Sequence, residues 1–167
     1  MNYSITPTAE CHFLGLHQAL DVVARELQFL ALTAAPPWED SLAYYRNIIA
    51  IDFPHFVALD DEKVVGWCDV APVFGQSRAH VGVIGIALLP EARHKGLGTP
   101  LMQAAITKGW ARGLTRLELT VRADNLNAIK LYEKLGFEHE GVRRRGSFVQ
   151  GQYYDVCCMG LLRLDDL

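Results

Sequence analysis

The stretch PEARHKGLGTPLMQAA, residues Pro90–Ala105, decides the fold because it places two glycines where an apolar strand ends and a helix begins. Gly96 and Gly98 flank a single leucine, although a simple turn needs only one glycine. The N-terminus of a helix carries unpaired N–H groups and a partial positive charge, so anionic groups bind there. The two glycines therefore predict a loop in which an anion such as a phosphate lies close to the backbone.

Two common nucleotide-binding motifs do not fit these residues. A dinucleotide-binding fingerprint needs a third glycine where Leu101 stands, and a P-loop needs a lysine after its glycines, whereas Lys95 precedes them. Thr99 and Pro100 are typical of a helix N-cap and first helical residue. The motif thus predicts a strand, an anion-binding loop and a helix without either nucleotide fold.

The rest of the chain alternates strand-like and helix-like segments. NYSIT predicts a first strand, Thr8–Leu30 an amphipathic helix by its three-four apolar spacing, and EDSLAYYRNIIA a second helix. HFVALDDEKVVGWCDVAPV predicts a hairpin turning at Asp60–Lys63, and AHVGVIGIALL a strand buried on both faces. TRLELTV predicts a further strand, followed by a helix ending at Gly136 and a terminal hairpin turning near Gly151.

Composition sets the broad class of the protein. The 167 residues are 50% hydrophobic and 21% charged, which predicts one globular domain, 1–167, of the α/β (or α+β) class. The net charge of -3 argues against a nucleic-acid partner. No apolar run is long enough for a membrane span or a leader, so a cytoplasmic protein without a membrane partner is expected. The cysteine and histidine spacings match no metal motif.

The residues Arg93-His94-Lys95-Gly96-Leu97-Gly98 resemble the Q/R-x-x-G-x-G/A motif of the GNAT superfamily, the acyl-CoA-dependent N-acyltransferases. VRADNLNAIKLYEKLGF is similar to the second signature of that family, V-R-x-x-N-x-x-A-I-x-x-Y-x-x-x-G-F. The resemblance covers Asp52 to Leu162, whereas the first 50 residues match only in the order of their elements. It implies a single mixed, mostly antiparallel twisted sheet of about seven strands, with splayed parallel central strands and about four flanking helices.

The resemblance also implies acetyl-CoA as cosubstrate, bound without a metal. In this family the pantetheine arm lies between the splayed strands, the loop amides hold the pyrophosphate, and the next helix begins at a cofactor-contacting asparagine. The residues implied to bind the cosubstrate are Ile86, Ala87, Leu88, Arg93, His94, Lys95, Gly96, Leu97, Gly98, Thr99, Asn125, Ala128, Tyr132 and Lys134. Without the resemblance, the same residues fit a plain core strand, a solvated basic turn and a helix N-cap.

Tyr132 matches the family tyrosine whose hydroxyl lies near the thioester sulfur, which implies a general acid that protonates the leaving thiolate. The alternative is a tyrosine on the core face of its helix. A general base is less evident, because VGVIGI has no carboxylate and Thr120 stands where some relatives have glutamate. The candidates are His80 and Glu118. Each is more typical of a structural or surface role, so proton removal through ordered water is the preferred hypothesis.

The pattern from Gly141-Val142-Arg143 to GQYYDV is similar to bacterial acetyltransferases acting on L-amino acids and phosphinothricin-like analogues. It implies a small-molecule acceptor, the α-amine of a small amino acid or an analogue. In the superfamily the N-terminal helices and the last hairpin wall the acceptor site, which implies FLALTAAPPWEDSLAYYRN and the loop RRRGSFVQGQYY here. Arg143–Arg145 would attract a carboxylate or form a solvated edge. The alternatives are the N-terminal α-amine of a protein and an acyl-CoA-binding regulatory domain without turnover. Many relatives dimerise, so the resemblance also admits a homodimer.

Overall fold

A seven-stranded mixed sheet in the order β1-β2-β3-β4-β5-β7-β6 organises the computed structural model, which describes residues 1–164. The strands are β1 Tyr3–Pro7, β2 His55–Asp60, β3 Lys63–Pro72, β4 Val81–Leu88, β5 Arg116–Arg122, β6 Glu138–Val149 and β7 Gln152–Leu162. The α-helices are α1 Phe13–Arg25, α2 Trp38–Ala50, α3 Gly98–Ala111 and α4 Leu126–Lys134. This architecture confirms the predicted fold class.

The central strands β4 and β5 are parallel and pair only at their beginnings, where Val81–Val83 match Arg116–Glu118. Every other neighbouring pair in the sheet is antiparallel. Beyond the paired residues, β4 stays bonded to β3 and β5 to β7, so a gap opens between them. The gap leaves backbone donors and acceptors of both strands free for a ligand.

The alternation of side chains along β3 shows which helices cover each face of the sheet. Cys68 lies on the α3 side, where its Sγ is 3.6 Å from Sδ of Met102. Its neighbours Trp67 and Asp69 point to the opposite face, beneath α1 and α2. Burial is deepest where the helices pack on the sheet, at Leu16 of α1, Leu101 of α3 and the strand residues Val57, Val70, Leu117 and Met159.

The predicted helix Thr8–Leu30 was wrong at both ends. A 3₁₀ turn occupies Glu10–His12, and α1 ends at Arg25. Leu27 then adopts a φ of +59°, a left-handed conformation that stops a helix. The apolar residues after Arg25 continue the helical spacing by sequence, but they belong to an irregular segment, residues 26–37, that covers the sheet.

Three further local predictions need correction. Helix α3 begins at Gly98 with Leu97 as N-cap, so Thr99 is not the cap and Pro100 is the third helical residue. β4 is not buried on both faces, because Val83 and Gly85 are exposed beside the gap. The run Arg143–Arg145 lies within β6 rather than in a loop, next to an irregularity in its pairing with β7.

Candidate active site

A cleft of about 610 Å³ occupies the gap between β4 and β5 and reaches the loop before α3. Most of the residues implied to bind the cosubstrate line it: Ile86, Ala87, Leu88, Arg93, His94, Gly96, Leu97, Gly98, Thr99, Asn125, Ala128 and Tyr132. Lys95 and Lys134 do not line it, and both are exposed. The fold therefore brings two sequence motifs, separated by α3 and β5, together around one cleft.

The loop before α3 has unpaired amides and two residues with positive φ. His94 and Gly96 have positive φ values of +58° and +77°, which turn the chain between the end of β4 and the start of α3. The N–H groups from His94 to Thr99 make no backbone hydrogen bond within residues 1–164. Unpaired amides at a helix N-terminus fit the pyrophosphate of coenzyme A.

The two glycines of the loop serve different purposes. Gly96 is required by its positive φ, and a β-carbon there would enter open space. A β-carbon on Gly98 would lie 2.9 Å from Cδ2 of Leu131, so its absence lets α4 pack against the start of α3. Of the two glycines, Gly96 is therefore the one still expected to make room for a phosphate. Gly98 instead allows α3 and α4 to approach closely.

Asn125 is the N-cap of α4, as its pattern predicts. Its Oδ1 accepts a hydrogen bond from the N–H of Ala128 at 3.2 Å. This bond uses one oxygen lone pair and leaves the side-chain amide free to donate. Because Asn125 also lines the cleft, capping and cosubstrate contact are compatible at this residue.

Tyr132 is 8% exposed and lies on the inner face of α4, with its ring packed against Phe137 at 6.0 Å between centroids. Its hydroxyl makes no hydrogen bond to any other residue in the described part of the chain. Burial raises the pKa of this hydroxyl far above its ordinary value, so the group is protonated at neutral pH. Tyr132 thus presents an available O–H donor to the cleft.

Arg93 binds the chain rather than standing free for a phosphate. Its Nη1 donates to Oε1 of Glu26 at 2.8 Å, and its Nε donates to the carbonyl of Leu88 at 3.0 Å. The guanidinium also lies 4.6 Å from the ring centroid of Phe29. Arg93 therefore anchors the segment after α1 against the end of β4 and closes one side of the cleft.

A second cavity of about 400 Å³ lies on the α1–α2 face of the sheet. It is lined by Leu16, Leu20, Leu30, Ala31, Leu32, Pro36, Asp40, Ser41, Tyr44, Tyr45, His55, Trp67, Asp69, Gly85 and Ile86. Leu30, Ala31, Gly85 and Ile86 line both the cavity and the cleft. We call this space the acceptor cavity, since it meets the cleft at β4.

The polar groups that line the acceptor cavity come from α2, β2 and β3. The hydroxyl of Tyr44 donates to Oδ2 of Asp69 at 3.0 Å, and burial raises the pKa of this carboxyl to about 6. The buried hydroxyls of Ser41 and Tyr45 have no hydrogen-bond partner within residues 1–164. Burial lowers the pKa of His55 to about 4, so the imidazole that meets Thr8 Oγ1 at 2.8 Å is neutral.

Neither predicted base lines the cleft or the acceptor cavity. His80 is exposed at the closed end of the β4–β5 pair, roughly 16 Å along the strand from Gly85. Glu118 shares a strand face with Thr120, but its carboxylate accepts hydrogen bonds from Arg78 at 2.7 Å and Arg116 at 3.2 Å. His80 and Glu118 therefore lie at the closed end of the β4–β5 pair, away from the cleft and the acceptor cavity.

Sequence reasoning missed some residues that line the two spaces and gave others a different role. Asn127 lines the cleft without having been predicted, and Thr120, expected only as the position of an absent glutamate, lines it as well. Phe29, Leu30 and Ala31 belong to the segment expected to wall the acceptor, and they also line the cleft. Asp69 carries the weak signal of a single carboxylate in a strand, KVVGWCDVAP, that is apolar after its first residue, Lys63. A charge at such a position is unfavourable unless it is paired or functional.

The described residues contain neither a metal-binding group nor a membrane span. No three or more His, Cys, Asp and Glu side chains among residues 1–164 come together as ion ligands. None of the helices found there has the length and apolar character needed to cross a membrane.

A splayed parallel strand pair, unpaired amides at a helix N-terminus and a buried tyrosine hydroxyl are the features that the resemblance to acyl-CoA-dependent N-acyltransferases implies. The model of the Acetyltransferase (GNAT) family matches residues 22–137, and the chain belongs to this family. It is accordingly an acetyltransferase that uses acetyl-CoA as its cosubstrate.

Two curated relatives and one solved structure define what the chain is similar to. It is 33% identical over 128 residues, 75% of each chain, to the L-amino acid N-acetyltransferase AaaT of Escherichia coli (strain K12). It is 42% identical over 62 residues, 37% of this chain and 42% of the relative, to the ribosomal protein bS18-alanine N-acetyltransferase of the same organism. The fold matches a phosphinothricin acetyltransferase from Sinorhizobium meliloti in complex with AcCoA, with a TM-score of 0.85 and 20% identity over 97% of this chain and 89% of that chain.

Proposed function

We propose that the protein transfers the acetyl group of acetyl-CoA to the α-amine of a small amino acid or an amino acid analogue. The observation that carries this proposal is the junction of the two spaces at Gly85 and Ile86. An acetyl thioester laid along β4 would present its carbonyl carbon to an amine in the acceptor cavity. The similarity to AaaT supports an amino acid as the acceptor.

The proposed site residues divide the chemistry between them. Backbone groups of Ile86, Ala87 and Leu88 bind the pantetheine arm, and the amides from His94 to Thr99 bind the pyrophosphate. The amine attacks the carbonyl carbon directly, and the carbon–sulfur bond breaks. Tyr132 donates its hydroxyl proton to the leaving thiolate. Its raised pKa keeps the hydroxyl protonated until the thiolate forms, and no other described residue competes for the proton.

A second candidate function is acetylation of the N-terminal α-amine of a protein. No lysine or arginine is among the described residues that line the acceptor cavity, so the free carboxylate of an amino acid would have no cationic partner there. An N-terminal residue carries an uncharged amide at that position. The similarity to the bS18-alanine N-acetyltransferase supports this alternative.

Release of free thiol from acetyl-CoA separates these functions. The acceptors to compare are L-methionine, L-methioninamide and a short peptide with N-terminal alanine, which differ in the charge and length beyond the α-carbon. Fastest release with L-methionine supports the amino acid enzyme, whereas a preference for the amide and the peptide supports the second candidate. Thermal stabilisation by coenzyme A without acceptor-dependent release would contradict both and support a regulatory acyl-CoA-binding domain.

A further inference from the structure

The Asp69 carboxylate faces the acceptor cavity without a cationic partner. Within residues 1–164 its side-chain partner is the Tyr44 hydroxyl, which donates to Oδ2 at 3.0 Å. The other oxygen, Oδ1, lies on the side of Gly85, where a β-carbon would come within 3.8 Å of it. One oxygen is therefore held by α2, and the other is directed towards the residue that the cavity shares with the acetyl-CoA cleft.

The sheet register explains how a β3 side chain reaches this point. Asp69 is paired with His55 on β2 and with Gly85 on β4, so the three residues share one face of the sheet. Gly85 has no side chain to separate the carboxylate from the cleft. A side chain from β3 thus reaches the place on β4 where the two spaces meet.

The surroundings of Asp69 favour a bound cation. A carboxylate among apolar and aromatic walls is costly unless a positive charge or hydrogen bonds compensate it. Burial raises the pKa of Asp69 to about 6, while the hydrogen bond from Tyr44 acts in the opposite direction. The other titratable groups that face the carboxylate are Asp40, Tyr44 and Tyr45 on α2 and His55 on β2, with Cys68 next to it in sequence; α1 and β4 contribute apolar residues and glycine.

We propose that Asp69 binds the ammonium group of the acceptor and removes a proton from it, and that Tyr44 positions the carboxylate for this step. The proposal rests on the acetyltransferase function stated above. It assigns the proton acceptor to a residue outside β4 and β5, in place of proton removal through ordered water alone.

The protons balance as follows in this reaction. The Asp69 carboxylate takes one proton from R–NH₃⁺, and the freed lone pair of R–NH₂ forms the new carbon–nitrogen bond. The carbon–sulfur bond breaks as the tetrahedral intermediate collapses, and Tyr132 gives its proton to the sulfur. The second nitrogen proton replaces the one that Tyr132 lost, and Asp69 releases its proton to solvent, so one proton is released per acetyl group transferred.

Asp69→Asn tests the proposal with little change in shape, and Asp61→Asn in the exposed β2–β3 turn is the matched control. With the panel amine that wild type acetylates fastest, we expect Asp69→Asn to lower kcat/KM at neutral pH by about a hundredfold or more. The acid limb of the wild-type pH profile should vanish in this variant. Tyr44→Phe should keep the limb but move it to higher pH, because the lost hydrogen bond stabilised the ionised carboxylate.

Binding of 2-phenylethylamine, measured by calorimetry with coenzyme A present, tests the site without turnover. With an ordinary amine pKa, its ammonium group stays charged from pH 5 to roughly pH 7.5. Binding to wild type should therefore strengthen over this range as Asp69 ionises. Asp69→Asn should bind the amine weakly and without pH dependence. An Asp69→Asn variant with the activity and amine binding of Asp61→Asn would overturn the proposal while leaving the acetyltransferase function intact. Absence of wild-type turnover, together with Asp69-dependent amine binding, would instead contradict the function and support the ammonium site.

Discussion

Asp69 on β3 and Gly85 on β4 lie side by side in the antiparallel ladder, and a β-carbon on Gly85 would be 3.8 Å from Oδ1 of the carboxylate. The missing side chain of one residue exposes the charge of the other to the junction of the acceptor cavity and the cleft. The surrounding α2, β2 and β3 residues nevertheless bury the carboxyl, and this burial raises its pKa.

The pH dependence of stability should reveal Asp69. Its folded pKa of about 6 is higher than the ordinary value of 3.8, so between these pH values the native state holds a proton that the unfolded state has lost. Stability contributed by this group is therefore lost as pH rises through 6. The Tm of Asp69→Asn relative to wild type should increase from pH 4 to pH 7. His55, whose folded pKa is about 4, has the opposite slope in this range, but it is present in both proteins.

The comparison should be made on thermal melts at constant ionic strength. A Tm difference that stays constant across this range would contradict the raised pKa of Asp69. A Tm difference that shrinks as pH rises would indicate instead that the native state stabilises the ionised form of Asp69.

Tyr132→Phe should separate the general-acid role from the packing role. The variant keeps the ring contact with Phe137 but loses the hydroxyl, so we expect kcat to fall by about a hundredfold with a nearly unchanged KM for acetyl-CoA. Steady-state thiol release measures both constants. Tyr3→Phe on the edge strand β1 is the control, and an equal, small effect of the two substitutions would leave Tyr132 a core residue.

Gly96→Ala should raise the KM for acetyl-CoA while lowering the stability of the fold only modestly. Gly96 and Gly113 have φ values of +77° and +87°, and a β-carbon at either position meets no atom within 4 Å. Alanine should therefore destabilise the protein similarly at both positions, by roughly 1 kcal/mol. Only Gly96→Ala should raise the KM for acetyl-CoA, and Gly96→Val should raise it more steeply. Equal KM values for Gly96→Ala and Gly113→Ala would indicate that the loop before α3 is a plain turn.

Asn125 can be tested for its two compatible roles with a pair of substitutions. Asn125→Ala removes the cap on the Ala128 N–H and should lower stability by about 1 kcal/mol, whereas Asn125→Ser keeps a capping oxygen. If the side-chain amide also contacts the cosubstrate, both variants should raise the KM for acetyl-CoA. A KM that changes only when stability changes would assign Asn125 to capping alone.

His80→Ala and Glu118→Gln should each retain most of the wild-type kcat. His80 is exposed at the closed end of the strand pair, and Glu118 is bound by Arg78 and Arg116. Thiol release at saturating acetyl-CoA gives the comparison. A roughly thousandfold loss in either variant would restore that residue as the base.

Sequence periodicity and turn chemistry predicted much of the fold because these signals are local. The hairpin at Asp60–Lys63, the helix ending near Gly136 and the turn near Gly151 all depend on residues within a few positions of one another. The same is true of the Asn125 cap. The end of α1 could not be predicted in this way, because Leu27 and Leu30 continue the helical spacing while the chain leaves the helix to cover the sheet.

The sequence by itself determined the turn before α3 and the start of α4, since the positive φ at Gly96 and the cap at Asn125 need only neighbouring residues. The tertiary structure alone decided where β4 and β5 part and which carboxylate reaches the junction. Period two assigns Asp69 to a face of its strand, but only the register with Gly85, sixteen positions away, places it beside the cleft. Residues that meet across strands depend on pairing and packing that no local pattern contains.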